Sequence, residues 1–371
     1  MKIKCNSDEF IKVINQASKI ATKNNINPVF ECIYIRTEDH KLIIKTTNLE
    51  ILYEKSINVL TEINGEVYIK SDILNRLVSN LQKNTNLEIE KIDNKLSIKN
   101  EKETLEIDIF DINESFPNSP VSNDSILTVP IKTLVEGFKN VSFAASKSEI
   151  KPEISSVYIY NKDDFLNFVA TDSYRLAEKR TNQINILKDF SYIIPIKNVL
   201  NIISILDDEN QDNDIILTEY NDGIILENDN IFISTRIING NYPDYKQLFP
   251  KEFNNELEIN KTELVKALNL NNLITTQYNF TKIKYDLNQK SATITAEEKS
   301  RGNVKSFVNF DIKNSKAELE ETNYNTGYFL EGLSKISSEK VLMNYTIENK
   351  PVFIKNNNDL SFVYLLMPLN R

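Results

Sequence analysis

Six stretches of this chain repeat apolar residues every three or four positions, and much of the sequence between them alternates apolar with polar residues. The first periodicity predicts amphipathic helices and the second predicts half-buried strands. The helical stretches fall into three pairs. "SDEFIKVINQASKIA" from Ser7 is followed by "SDILNRLVSNLQ" from Ser71, and "IKTLVEGFKNVSFAA" from Ile131 by "IKNVLNIISILDD" from Ile196. "NKTELVKALNLNNLI" from Asn260 is followed by "TGYFLEGLSKISS" from Thr326. Matching Phe10 with Leu74, Leu134 with Leu200 and Leu264 with Leu330 gives separations of 64, 66 and 66 residues. A unit of about 120 residues is repeated three times.

Strand-like runs separate the helices: "KLIIKTTNLEILYEKSI", "NEKETLEIDIFDI", "DIILTEYNDGIILENDNIFISTRII" and "SATITAEEKS", with turn signals at Asn64-Gly65 and Asp222-Gly223. Each repeat reads as an α+β unit, two helices packed on antiparallel sheet. The polar stretches 118–125 and 250–256 predict domains at 1–124, 125–252 and 253–371. The chain ends on "FVYLLMPLNR", which is apolar where free ends are usually polar. Either it is the last strand of a sheet or another molecule covers it.

Composition narrows the function. With 371 residues, 40% hydrophobic and 26% charged, the chain suits a soluble protein of two or three domains. No apolar run approaches the roughly 18–20 residues that span a bilayer, and "MKIKCNSDEF" has no apolar signal region. Cys5 and Cys32 are too few for a disulfide framework. A cytoplasmic protein is expected. One histidine, His40, lies in the polar turn "TEDHKL", and no Cys/His cluster has metal-ligand spacing. "GYFLEGLS" at 327–334 has Leu333 where a phosphate loop needs lysine, and reads as helix. No catalytic residue, metal or cofactor is expected.

The net charge of −9 lacks the basic footprint of a nucleic-acid binder, but a net value says nothing about distribution. In the first helix Phe10, Val13, Ile14, Ala17, Ile20 and Ala21 form an apolar stripe opposite Lys12, Lys19 and Lys23. In the second, Ile73, Leu74, Leu77 and Leu81 oppose Arg76 and Lys83; in the third, Leu134, Phe138 and Val141 oppose Lys132 and Lys139. Lys197 continues the series in the fourth, while Glu136 interrupts it in the third. Such lysines either solvate surface helices or face one shared polyanion, and the pattern alone does not choose.

Three motifs add a resemblance. "FVATDSYRLAEKR" (168–180), "STRIINGNYPDYKQLFP" (234–250) and the tail "YLLMPLNR" resemble, in order and spacing, segments of the bacterial DNA polymerase sliding clamp family, the beta subunit of the replicative polymerase. The resemblance covers the whole chain through its threefold repeat. It implies three DNA-clamp domains in a head-to-tail homodimeric ring, with helices lining a central hole. The cations at Lys12, Lys19, Lys23, Arg76, Lys83, Lys132, Lys139 and Lys197 would then face double-stranded DNA, held without sequence readout. Polymerase subunits and the clamp loader would bind as short linear peptides. Their implied pocket comprises Ile154, Thr171, Ser173, Tyr174, Arg175 and Leu176, then Pro243, Gln247 and Leu248. Pro351 and the tail residues Leu365, Leu366, Met367, Pro368, Leu369, Asn370 and Arg371 complete it. The dimer contact is expected near Ile107 and Ile109 of one copy and Leu273 of the other.

The chain departs from the family pattern at several places. "ATDSYRLA" stands for the usual "ATDGHRLA", so Ser173 replaces glycine and Tyr174 histidine. Gln247 stands where a basic residue is common, the tail reads "MPLNR" rather than "MPMRL", and Pro152 and Glu153 occupy positions of aromatic DNA contacts. Two other functions are weighed: a divergent clamp-like interaction scaffold outside bulk replication, and a metal-dependent phosphodiesterase using Asp163, Asp164 and Asp172. Retention on circular but not linear DNA separates a clamp from a scaffold.

Overall fold

The computed structural model describes residues 1–371 apart from 24–26, 113, 183, 276–278, 299, 320, 347–350, 358 and 370–371. Each helix follows directly on a strand. Strands Lys2–Asn6, Glu66–Lys70 and Ser125–Pro130 run into helices α1 (Ser7–Ser18), α2 (Ser71–Val78) and α3 (Ile131–Val141). Strands Ser191–Pro195, Asn255–Asn260 and Thr322–Asn325 run into α4 (Ile196–Leu206), α5 (Lys261–Ile274) and α6 (Thr326–Ser334). Asparagine makes several of these switches, because its side chain satisfies first-turn N–H groups that no helical carbonyl reaches. Asn6 accepts from Asp8 at 2.9 Å, Asn260 from Glu263 at 3.1 Å and Asn325 from Tyr328 at 3.0 Å. The six predicted helices are present, and "GYFLEGLS" lies in α6.

The chain forms two compact units, residues 1–135, 183–190 and 197–237 in the first, and 136–182, 191–196 and 238–371 in the second. The first holds a five-stranded sheet and a nine-stranded sheet, the second a twelve-stranded sheet, and all their strand pairings are antiparallel. In the nine-stranded sheet Ile51–Asn58 pairs with Ile231–Arg236; in the twelve-stranded sheet Arg175–Thr181 pairs with Phe362–Leu366. Both sheets thus join strands from different repeats. Asn64-Gly65 is not a hairpin turn. It links Leu60–Ile63 of the five-stranded sheet to Glu66–Lys70 of the nine-stranded one.

The helices close on the sheets through their apolar faces. Phe10, Val13, Ile14, Ala17 and Ile20 are all 0% exposed, and Leu134, Phe138 and Val141 are buried too. Each of the larger side chains, Ala17 apart, contributes roughly 1.5–3 kcal/mol on burial. Two glycines allow close approach in the second unit. A Cβ at Gly137 would lie 2.3 Å from the Phe168 ring, and one at Gly332 would lie 2.2 Å from the Tyr364 ring. Helix α2 differs from expectation: Leu74, Val78 and Leu81 are buried, but Ile73 and Leu77 are each 38% exposed. His40 is exposed in its turn, and both cysteines are free and buried.

Candidate functional site

In the second unit, strands Phe165–Thr171 and Arg175–Thr181 form a hairpin whose last pair is Thr171 with Leu176. The turn is built by its own side chains. The Thr171 hydroxyl donates to the Arg175 carbonyl at 2.6 Å and accepts from the Ser173 N–H at 3.1 Å. Asp172 Oδ1 accepts the N–H groups of Tyr174 and Arg175 at 2.9 and 3.0 Å. Ser173 has φ of 75°, a left-handed conformation that favours glycine.

Alternation along these strands sorts the predicted pocket residues onto two faces. Leu176 and Leu365 pair across the strands and pack with Val169, Val363 and Phe353. The segment after Ile238 covers this face with a run of aromatic rings. Tyr242 stacks on Tyr158 at 4.8 Å, and Phe249 and Phe253 meet Phe353 at 5.5 and 5.0 Å. The Tyr245 hydroxyl donates to the Glu178 carboxylate, which also takes Lys246 Nζ at 2.6 Å. Burial, reinforced by the neighbouring Glu178 charge, pushes the Tyr245 phenol far above its ordinary pKa, so it stays a donor. From the same segment Pro243, Gln247 and Leu248 are exposed, with Gln247 donating to Asp244 at 2.8 Å.

Arg175 and Leu366 pair on the other face. The Arg175 side chain is 3% exposed, and it meets Asp172 at 3.0 Å, Glu331, the Phe143 carbonyl at 2.7 Å and the Tyr328 ring at 3.9 Å. Arg175 therefore organises the hairpin from beneath, with almost no side chain at the surface. Leu366 and Leu365 are each 1% exposed and lie inside strand Phe362–Leu366. The strand thus runs two residues further than Tyr364, and the tail leaves the sheet at Met367. The Met367 N–H donates to the Tyr174 carbonyl at 2.9 Å and the Leu369 N–H to the Asn323 carbonyl at 2.8 Å. These bonds hold Met367, Pro368 and Leu369 partly exposed beside an exposed Tyr174. Ile154 is partly buried and Pro351 is buried. Asn370 and Arg371 lie outside the described residues.

Sequence reasoning missed Tyr158, Tyr242, Tyr245, Tyr328 and Glu331, which shape the two faces. It also missed a second copy of the hairpin. In the first unit Thr47 donates to the Ile51 carbonyl at 2.9 Å and accepts from Leu49 at 3.1 Å, while Asn48 Oδ1 accepts from Glu50 and Ile51 at 3.0 and 2.9 Å. Leu49 has φ of 74°, and the Arg236 N–H clasps the Glu50 carbonyl at 2.9 Å, as Met367 clasps Tyr174. Tyr34 stacks on Phe116 at 5.4 Å as Tyr158 does on Tyr242. The signal was available in "TTNLEIL" beside "ATDSYRL". The copies differ at the buried Arg175, whose counterpart is Ile51, and at the paired floor position, Ser234 in the first unit and Leu365 in the second.

The predicted DNA-facing cations are not equivalent. Lys12 pairs with Glu209 at 3.0 Å, and Lys19 donates to the Ser204 carbonyl at 3.2 Å in the last turn of α4. Gln16, between them on α1, donates to the Ile205 carbonyl at 3.0 Å and to Glu209 at 3.1 Å. Lys55 adds a 2.8 Å bond to the same carboxylate. Lys12 and Lys19 thus fasten α1 to the carbonyl end of α4, where cations are favoured. Lys23 and Arg76, far apart in sequence, line one cleft. Arg76 also pairs with Asp72 at 3.3 Å. Lys83, Lys132 and Lys197 are exposed and Lys139 is half-buried. The carboxylates of the phosphodiesterase reading do not converge: Asp163 and Asp164 form the turn before Phe165, and Asp172 follows Thr171, roughly 20 Å along the strand. Among the described residues no acidic, Cys or His group could hold a metal, and no helix is long and apolar enough to cross a membrane.

Comparison with known proteins accounts for the whole chain. Sequence models of the DNA polymerase III beta subunit match its N-terminal domain at residues 1–120, its central domain at 128–244 and its C-terminal domain at 246–370. The beta sliding clamp of Buchnera aphidicola subsp. Rhopalosiphum padi is 26% identical, with all of both chains covered. That of Staphylococcus aureus (strain Mu50 / ATCC 700699) is 24% identical over all of this chain and 99% of its own. The crystal structure of the DNA polymerase sliding clamp from Bacillus subtilis superposes with a TM-score of 0.89 at 22% identity, covering 100% of this chain and 99% of that one. With three domain matches in order along its length, the chain belongs to the DNA polymerase III beta subunit family, the beta sliding clamps.

Proposed function

We propose that the chain is a DNA sliding clamp, a non-catalytic processivity factor that encircles duplex DNA and tethers the replicative polymerase. The observation that carries this reading is the ordered match of all three clamp domains over the full chain. Domain limits at 1–124, 125–252 and 253–371 agree with the strand starts at Ser125 and Asn255. DNA replication implies the cytoplasm as the place of action.

A head-to-tail homodimer is supported by two open sheet edges. Strand Thr104–Asp108 is the last of the five-stranded sheet. Strand Gly302–Ser315 pairs with Ser291–Glu298 along its first half and with Asn255–Asn260 along its second, so 302–308 keep one edge unpaired among the described residues. Each edge has a helix beside it carrying exposed aliphatics: Ile73 and Leu77 on α2, and Leu270 and Leu273 on α5, next to an exposed Phe307. Unpaired edges with apolar flanks are self-association surfaces. Joining them between copies would bring Ile109 and the backbone of Ile107 toward Leu273, the Ile107 side chain being buried within its own unit. DNA contact falls to Lys23, Arg76, Lys83, Lys132, Lys139 and Lys197 more than to Lys12 and Lys19.

Partner peptides dock beside the hairpin of the second unit. Ser173, Tyr174, Pro243, Leu248 and the tail residues Met367, Pro368 and Leu369 supply apolar groups with a few polar ones, the usual composition of a peptide or ligand site, while Leu176 lies in the core beneath. The test is retention on DNA: after loading with a clamp loader and ATP, the protein stays on nicked circles and leaves when they are linearised. Equal retention on both topologies refutes the ring. Truncation from Met367, the first residue beyond the strand, should abolish binding of polymerase-derived peptides while the dimer persists; unchanged binding moves the site elsewhere.

A further inference from the structure

The chain holds two Asn-Gly pairs, Asn64-Gly65 and Asn239-Gly240, and the fold places them in opposite surroundings. Asparagine before glycine is open to attack by its own backbone. The glycine amide nitrogen can reach the asparagine Cγ, because glycine has no Cβ in the way and the widest choice of backbone angles. The attack needs a free glycine N–H, an unlocked backbone and access to water.

Asn64-Gly65 fails the first two conditions. The Gly65 N–H donates to the Thr37 hydroxyl at 2.8 Å, and the Gly65 carbonyl accepts the Thr37 N–H at 3.0 Å and its hydroxyl at 3.1 Å. A Cβ at Gly65 would lie 2.9 Å from Met1, so close packing keeps that residue a glycine. Asn239-Gly240 meets all three. Both residues are exposed and lie outside any helix or strand. Among the described residues no group accepts the Gly240 N–H. Gly240 is not in the left-handed region, and a Cβ there would meet only the Glu153 side chain, at 3.4 Å. Neither space nor backbone conformation holds this pair in place.

We propose that Asn239 is a self-modification site, converting to isoaspartate through a succinimide formed with Gly240. The Gly240 nitrogen gives up its proton to water or hydroxide and bonds to Asn239 Cγ. The Cγ–Nδ2 bond then breaks, and the nitrogen departs as ammonia with a proton returned from water. A water molecule opens the five-membered ring. Addition at Cγ gives aspartate, and addition at the backbone carbonyl carbon gives isoaspartate, whose main chain runs through Cβ and Cγ. One water enters, one ammonia leaves, and either product carries a new negative charge.

Position gives the change a consequence. Just before the pair, the Ile238 N–H donates to the Ile193 carbonyl at 2.8 Å; just after it, Tyr242 stacks on Tyr158 at 4.8 Å. An extra main-chain methylene between these anchors slackens the segment that covers the aromatic face of the hairpin. The new charge also falls close to the Glu153 carboxylate. Any effect on partner peptides rests on the sliding-clamp reading; the modification does not.

The experiment incubates the full-length folded protein in mildly alkaline buffer and maps its peptides by mass spectrometry, with electron-transfer fragmentation to separate aspartate from isoaspartate. Asn239 should convert at least about tenfold faster than Asn64, whose glycine N–H must first be freed from Thr37. Gly240→Ala should slow the conversion by about tenfold, because a Cβ restricts the backbone and hinders the attack. Asn239→Gln, which would have to close a larger ring, should abolish it, and stays informative if Gly240→Ala does not fold. Equal conversion at Asn64 and Asn239, or conversion undiminished in Gly240→Ala, overturns the proposal. A second arm isolates the isoaspartyl form by anion exchange and compares amide exchange from Tyr242 to Phe249 with the parent. Faster exchange supports the slackening, and unchanged exchange refutes it. Peptide binding is measured on the same two forms. If the parent binds no polymerase-derived peptide, the docking reading fails while the conversion of Asn239 stands.

Discussion

Replacing Arg175 tests whether the candidate site is held from beneath by a buried charge. In Arg175→Ala the guanidinium disappears from a position 3% exposed, leaving Asp172 at 10% exposure without its 3.0 Å partner. Breaking a buried pair by removing one member costs about 3–5 kcal/mol. The Glu331 contact adds little, because that carboxylate is 52% exposed and water replaces the lost partner. Asp172 also keeps its two backbone N–H donors from Tyr174 and Arg175, which softens the penalty. The lower end, about 3 kcal/mol, is expected. At roughly 2–4 °C per kcal/mol for a unit of this size, the transition of the second unit should fall by about 6–12 °C. Circular dichroism follows the melt, with tyrosine fluorescence as a second probe since the chain has no tryptophan. Amide exchange at Ser173 and Tyr174 should accelerate with it. Arg175→Lys keeps charge but not the planar fork, and should fall between parent and alanine. If Arg175→Ala melts within about 2 °C of the parent with unchanged exchange at the turn, Arg175 does not hold the hairpin.

Three further outcomes are expected. Burial raises the Glu209 pKa, but hydrogen bonds from Lys55, Gln16 and Lys12 outweigh it and hold the carboxyl below its ordinary value. A depressed folded pKa means stability is present above the unfolded value near 4.3 and lost as pH falls through the folded one, so Glu209→Gln should flatten the acid side of a urea-midpoint versus pH curve. Gly332→Ala should cost about 1–3 kcal/mol in chemical denaturation because its Cβ enters the ring of the fully buried Tyr364, whereas Gly327→Ala, facing the side-chain tip of Asn279 and in ordinary contact with Asn325, should change stability by less than about 0.5 kcal/mol. Ser173→Gly relieves a left-handed φ at the expense of a more disordered unfolded chain and should shift stability by at most about 1 kcal/mol, while the β-branched Ser173→Val should lose about 1–2 kcal/mol.

The elements were legible because their causes are local. Phe10, Val13, Ile14 and Ala17 mark a helix face through spacing alone, and the caps at Asn6, Asn260 and Asn325 stand next to the residues they serve. The same spacing misled at α2, where Ile73 and Leu77 look like core but face solvent within one chain. Periodicity reports which residues are apolar, not which have something to bury against. The lysine stripe misled for a related reason. Lys12 and Lys19 read as outward charges until α4, nearly two hundred residues later in sequence, brings Glu209 and the Ser204 carbonyl to them.

The sequence by itself determined a threefold α+β repeat, its six helices, a turn at Asp222-Gly223 and an apolar tail, since each element depends on neighbours a few residues away. Only the tertiary structure decided what those parts become. Pairing Arg175–Lys179 with Phe362–Leu366 turns Leu176 and Leu365 toward the aromatic segment and sends Arg175 toward Glu331. A shift of one residue in that pairing would exchange the two faces. The long-range register, set by which surfaces can be buried together, therefore makes the tail a core strand up to Leu366 and leaves Met367, Pro368 and Leu369 partly exposed beyond it.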